Sequence, residues 1–246
     1  MADNAHAHAH AHAHGNAGAR HFLDAFRDPQ AIAHYAEGPR RFVPGIDALH
    51  RMTALLLAES APADARVLVL GAGGGLELKV LAEAQPGWTF VGVDPAGPML
   101  DLAVQTLGPL ADRVQWVEGY IDDAPAGPFD AATCLLTLHF LDAPERLRTV
   151  AEIHRRLKPG APFVAAHGSF PQDATRSTWL ERYAAYAVAS GADPQQAGQA
   201  KAAVAANLSL LDPERDEAIL KEAGFADAAL FYAAFTWRGW IGHAEF

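Results

Sequence analysis

The chain has 246 residues, half of them apolar and a fifth charged, enough for one large domain with its own core. A formal net charge of −10 disfavours a polyanionic partner, so nucleic-acid recognition is not expected. The single cysteine, Cys134, rules out an intrachain disulfide and suits a reducing cytoplasm; in its apolar run it reads as a small buried residue.

The N-terminus lacks the basic start and apolar core of a signal peptide, and no stretch approaches the roughly 20 apolar residues of a membrane helix. Instead, five histidines alternate with alanine from His6 to His14, the pattern of an affinity tag or, alternatively, of a metal-binding tract. Residues 1–17 are therefore set aside, and the fold is read from residue 18. Residues 19–38 have helical spacing, with Phe22, Phe26 and Ala33 on one face, and Gly38-Pro39 is expected to end that helix. A second helix follows from about Asp47 to Ser60, striped by Leu49, Met52, Leu56 and Leu57.

From residue 66 the chain alternates. RVLVLG predicts a strand buried on both faces, GLELKVLAEAQ a helix, WTFVGVD a second strand and AGPMLDLAVQTLG a helix. RVQWVEG and FDAATCLLTL are the third and fourth strands, PERLRTVAEIHRRLKPG is a long amphipathic helix, and APFVAAHGS is the fifth strand. This order predicts a parallel sheet covered by helices on both faces. After Ser169 the pattern becomes Ala-rich and helical, broken at Gly191 to Pro194, and predicts an inserted helical cap over about 172–211. Asp212 then caps a short helix with Pro213 in its first position, and the C-terminal stretch predicts two closing strands.

A strand that ends in a glycine-rich turn and opens a helix presents backbone N–H groups and a helix N-terminus to a ligand. Gly71, Gly73 and Gly75 form a G-x-G-x-G turn here. The dinucleotide fingerprint G-x-G-x-x-G fails, since its sixth position is Leu76, which weighs against a nicotinamide dehydrogenase. The next strand ends in an acid, Asp94, placed to accept hydrogen bonds from both ribose hydroxyls of an adenosine. Strand, glycine turn, strand and acid in this order point to nucleoside binding.

These pieces, with VEGYIDDAPAGPFDAATCLLTLHFL and LKPGAPFVAAHGSF, resemble the class I S-adenosylmethionine (SAM)-dependent methyltransferase family from about Arg66 to Gly168. The likeness is nearer to the carboxy-SAM synthase group, through RRFVPGIDALHRM, TLHFL and KAAVAANLSLLD. The resemblance implies a Rossmann-like seven-stranded α/β sheet carrying an N-terminal helical lid (18–62) and a helical cap after strand five. It further implies that the glycine turn holds the methionine part of SAM, that Asp94 binds the ribose and that Met99 packs near the adenine. The implied SAM contacts are Tyr35, Arg41, Gly71, Ala72, Gly73, Gly75, Asp94, Pro95, Met99, Tyr120, Ile121, Asp122 and Leu136.

The sequence departs from the family at three points. Val69 stands where an acid helps to hold the SAM ammonium. Tyr120 replaces an adenine-side Asp, with Asp122 and Asp123 following as stand-ins. Ala202, next to Lys201, replaces an arginine that the carboxy-SAM group associates with its additional carboxylate, which favours ordinary SAM. Val69 reads either as drift, leaving a β-branched core residue, or as a change in reactivity. A carboxylate keeps a neighbouring amine protonated; without it the SAM amine could attack its own Cγ and expel methylthioadenosine, giving azetidine-2-carboxylate.

Candidates for the acceptor side are His139 (general base, acceptor ligand or structural histidine), Tyr183 and Asn207, with His167 and Ser169 beside them. Trp179, Tyr183 and Tyr186 share a helical face, as cap packing or as an aromatic wall beside a cation. Arg41 could grip a carboxylate. The histidines have no metal-ligand spacing, and no metal is expected. The expected function is a cytoplasmic, SAM-dependent enzyme methylating a small molecule, with SAM as cosubstrate. The alternatives are an enzyme for which SAM is the sole substrate and a non-catalytic SAM-binding module. Neither nucleic acid nor membrane is an expected partner, and a homodimer is left open.

Overall fold

The computed structural model describes residues 37–245, so Tyr35 and nearly all of the first predicted helix lie outside the described residues. Helix α1 (Glu37–Phe42) takes in Gly38 and Pro39. Pro39 falls in its first turn, where a missing N–H costs nothing and a fixed φ is already helical. Helix α2 (Ile46–Ala58) buries Ile46, Leu49, Thr53 and Leu57 at spacings of three and four, one continuous inner face.

The chain then builds β1 (Arg66–Leu70), α3 (Leu76–Ala84), β2 (Thr89–Asp94), α4 (Gly97–Leu107), β3 (Val114–Glu118) and β4 (Ala131–Leu135). Next come α5 (Ala143–Arg155), β5 (Pro162–Gly168), α6 (Arg176–Ala189), α7 (Pro194–Asn207), α8 (Pro213–Glu222), β6 (Phe225–Ala234) and β7 (Trp237–Ala244). The seven strands form one sheet in the order β3-β2-β1-β4-β5-β7-β6. β1 to β5 are parallel, and β7 runs antiparallel to both β5 and β6.

Alternation along the central strands feeds two cores. Val67, Val69, Val164 and Ala166 pack with Leu49, Leu57, Leu78 and Leu81 on one face. Leu68, Leu70, Phe163 and Ala165 pack with Val150, Ile153 and Leu220 on the other. Both faces are covered, which is why these strands read as unbroken apolar runs. Strand order reverses at β1, whose neighbours are β2 and β4, so a crevice opens at the C-terminal ends of these strands.

Helices α6 and α7 leave the sheet after Ser169 and return at Leu211. The two points lie side by side, with the Phe170 N–H donating to Leu211 O at 3.2 Å. The break between the helices falls at Ser190–Asp193, where Asp193 accepts from the N–H groups of Gln195 and Gln196 and Pro194 opens α7. The N-terminal helices are fastened to the last hairpin: the Tyr232 hydroxyl donates to Pro44 O at 2.6 Å and the Trp237 indole to Phe42 O at 3.0 Å.

The loops after β1 and β4 meet at Gly71, which has φ 79° and no room for a side chain, because a Cβ there would overlap the Thr137 hydroxyl. Gly71→Ala is therefore expected to lower stability by about 2–4 kcal/mol, through strain at positive φ and displacement of Thr137. Urea unfolding checks this, and a wild-type midpoint would contradict the packing described.

Candidate functional site

The glycine turn is folded back on β2. The N–H groups of Gly71 and Ala72 both donate to Val93 O, at 2.8 and 3.0 Å. Gly73 N–H donates to Asp94 Oδ2 and Ala96 N–H to Asp94 Oδ1, each at 2.9 Å. One carboxylate thus ties the loop after β1 to the loop after β2. Burial pushes the Asp94 carboxyl above its ordinary pKa, and the two N–H donors oppose that shift. Each carboxylate oxygen has a further lone-pair direction, the acceptor geometry that a vicinal diol requires.

Around this bridge, Gly75 caps α3 at φ 80° and lets α3 approach Ala103 of α4. Pro95 leads into α4, on which Met99 is buried. Leu136, at φ 55°, follows β4 and donates its N–H to Ala166 O at 2.6 Å, at the lip of the β1–β4 crevice. Beyond β3, Ile121 is buried and Tyr120 is exposed. Of the two acids considered as adenine-side stand-ins, Asp122 pairs with Arg148 at 3.0 Å and Asp123 accepts the Tyr120 N–H at 2.8 Å. Arg41 pairs with Glu37 at 2.8 Å on the surface.

On the other side of the crevice His139 is buried in the turn after β4, and its Nδ1 accepts the Gly168 N–H at 3.1 Å. Burial, then the nearby His167 and Arg146, hold its pKa well below the usual imidazole value. With Nδ1 accepting, the neutral ring carries its proton on Nε2. With that lone pair used and protonation disfavoured, the ring as it stands is a hydrogen-bonding element of the loop, the structural role among the three expected for it.

His139 packs edge-on to Trp237, with ring centroids 5.7 Å apart. Tyr183 is buried at 6.5 Å from Trp237 and 5.3 Å from Phe42, and burial keeps its hydroxyl protonated. An aromatic line therefore joins α1, α6, β7 and the β4 loop. Asn207 ends α7, and two residues on, Ser209 N–H donates to His139 O at 3.1 Å. The helical face shared by Trp179, Tyr183 and Tyr186 does not become a single wall. Trp179 stacks beneath Arg182 and Arg238, only Tyr183 is buried in the aromatic line, and Tyr186 meets Phe235.

Sequence reasoning missed the ionic cluster behind this loop. Arg146 is fully buried and donates to the Asp216 carboxylate, to Ser209 O and, at 3.1 Å, to Leu141 O. His167 Nε2 lies 3.2 Å from Asp216 Oδ1. Burial would raise the Asp216 carboxyl, but His167 and Arg146 together hold it down at about 2. The available signal was the spacing of Arg146 with Thr149, Val150 and Ile153, a charged residue on the buried stripe of α5.

No helix among the described residues is long and apolar enough to cross a membrane, and no cluster of three or more metal-ligating side chains occurs among them. A family described as "Methyltransferase domain" matches residues 67–160, the stretch holding the glycine turn, Asp94 and His139. The chain is 28% identical over 225 residues to a carboxy-S-adenosyl-L-methionine synthase of Chromohalobacter salexigens, covering 89% of this chain and 83% of the relative. Among solved structures, an O-methyltransferase family protein from Burkholderia thailandensis superposes with TM-score 0.66 at 17% identity, over 90% of this chain and 64% of that one. Human N-acetylserotonin methyltransferase in complex with SAM gives TM-score 0.58 at 16% identity, over 92% and 62%.

Arg146 offers the sharpest test of how the second half of the site is held. Arg146→Met should cost about 3–5 kcal/mol in urea unfolding because it leaves Asp216 buried without its main partner, and Arg146→Met with Asp216→Leu should recover much of that loss. Equal losses in the single and double variants would contradict the coupling.

Proposed function

We propose, on the premise that this chain belongs to the class I SAM-dependent methyltransferase family, that it transfers the methyl group of SAM to a small-molecule acceptor. The observation that carries the reading is the Asp94 carboxylate, fixed at the end of β2 by two backbone donors and still able to accept from a ribose diol. The glycine turn and the N-terminus of α3 would take the amino-acid end of SAM, and Met99 would contribute apolar surface on the adenine side. When bound, SAM supplies an electrophilic methyl group on a sulfonium. Transfer from it needs alignment and exclusion of water more than covalent help. The aromatic line from Phe42 to His139 and the α6–α7 pair would act as lid and cap, and such an enclosure would favour a small acceptor. The acidic net charge weighs against nucleic acid.

Ordinary SAM is favoured over a carboxylated form. Lys201 is engaged with Glu181 at 2.7 Å and the next position is Ala202, so this part of α7 offers no spare cation to an extra carboxylate. We place the enzyme in the cytoplasm, in keeping with a free and buried Cys134.

A second reading is favoured by one observation: Val69 is completely buried in β1 and brings no charge to the crevice. An amine that gives its proton to solvent could attack Cγ, forming the C–N bond as the C–S bond breaks. The electron pair would go to sulfur, leaving methylthioadenosine and azetidine-2-carboxylate. Incubation of the purified protein with SAM alone, followed by mass spectrometry, separates the readings. The methyltransferase reading expects SAM to be bound and intact until an acceptor is added. Methylthioadenosine above the spontaneous background, with a matching four-carbon amino acid, would overturn it in favour of cyclisation. Saturable binding with no turnover across an acceptor screen would leave a non-catalytic module.

A further inference from the structure

One buried acid has no role in the site as described. Glu77 is the second residue of α3, directly behind the glycine turn, and only 7% exposed. Helical side chains tilt toward the N-terminus of their helix, so the carboxyl is directed back at the turn. Its Oε1 has no hydrogen-bond partner. Burial pushes the carboxyl up to about 7, with the Thr133 hydroxyl opposing the shift. Thr133 lies on β4, in register with Val69 of β1, so the carboxyl sits against the β1–β4 pair. The neighbouring titratable group is the Cys134 thiol, which burial and then Glu77 itself keep protonated.

A buried carboxyl with an unmet oxygen is costly, and an apolar residue would fill the same volume without that cost. A cationic ligand group would remove the cost. Asp94 and Glu77 lie on opposite sides of β1, one at the end of β2 and the other against β4. A nucleoside whose ribose is held at Asp94 therefore extends its other end across β1 toward Glu77. In SAM that end is an amino acid bearing an ammonium.

We propose that Glu77 receives the α-ammonium of bound SAM, supplying from α3 the negative charge that Val69 does not supply from β1. The assignment rests on the SAM reading of this site and deepens it. Glu77 is a binding and positioning residue. It holds the ammonium protonated and thereby directs SAM toward methyl donation.

The test compares Glu77→Gln with the unsubstituted protein by calorimetry at pH 8, using SAM, S-adenosylhomocysteine and methylthioadenosine. The first two carry the ammonium; the third does not. Glu77→Gln should weaken SAM and S-adenosylhomocysteine alike by about tenfold, the scale of one charge-assisted hydrogen bond, and leave methylthioadenosine unchanged. Unchanged affinity for SAM and S-adenosylhomocysteine, or equal loss for all three ligands, would overturn the assignment. Loss with SAM alone would also overturn it, by placing the carboxyl at the sulfonium. If the amide variant does not fold, Glu77→Asp keeps the charge and shortens its reach; the same selective loss is expected and the same outcomes overturn it. An unsubstituted protein that binds none of the three would remove the SAM reading itself, and this assignment with it.

Discussion

The site depends on one carboxylate that receives two backbone donors. Asp94 joins the turn after β1 to the turn after β2 through the N–H groups of Gly73 and Ala96, and so sets the shape of the crevice where strand order reverses. The glycines serve this bridge. Gly71 lets the β4 loop close against the turn, and Gly75 lets α3 lie against α4. A parallel sheet covered on both faces makes the strand ends the natural place for such a site, because backbone N–H groups and helix N-termini converge there.

The other wall of the crevice is held by buried charge. Arg146 gathers the Asp216 carboxylate and the carbonyls of Leu141 and Ser209, while Ser209 also holds the backbone of His139. The returning segment of the α6–α7 excursion and the loop after β4 are thus fastened to one guanidinium. Its position in the core, rather than in solvent, makes this attachment strong only while both partners are present. His139, between that cluster and the Trp237–Tyr183 stack, is placed by its surroundings on every side.

The strands were legible because their Val- and Leu-rich runs are buried on both faces, and the glycine turn with Asp94 was legible because both are local in the chain. The break between α6 and α7 was announced by Gly191 and Pro194. Gly38-Pro39 was a weaker signal, because the same dipeptide can end one helix or lie in the first turn of another, as Pro39 does in α1. The tertiary partners were not readable. Nothing near His139 in sequence tells that Gly168 donates to it from the next strand. The spacing of Trp179, Tyr183 and Tyr186 describes one helix face but not the arginines and aromatics that divide it. Glu77 looks like an ordinary first-turn acid until its burial against Thr133 is seen.

The central claim is that Asp94 organises a SAM site, and calorimetric titration of SAM into the unsubstituted protein and Asp94→Asn tests it most directly. The amide can keep one backbone donor but loses the charge and part of the acceptor capacity offered to the ribose. The account expects saturable one-site binding in the first case and a loss of about tenfold or more in the second. Equal SAM affinity in the two proteins would contradict it.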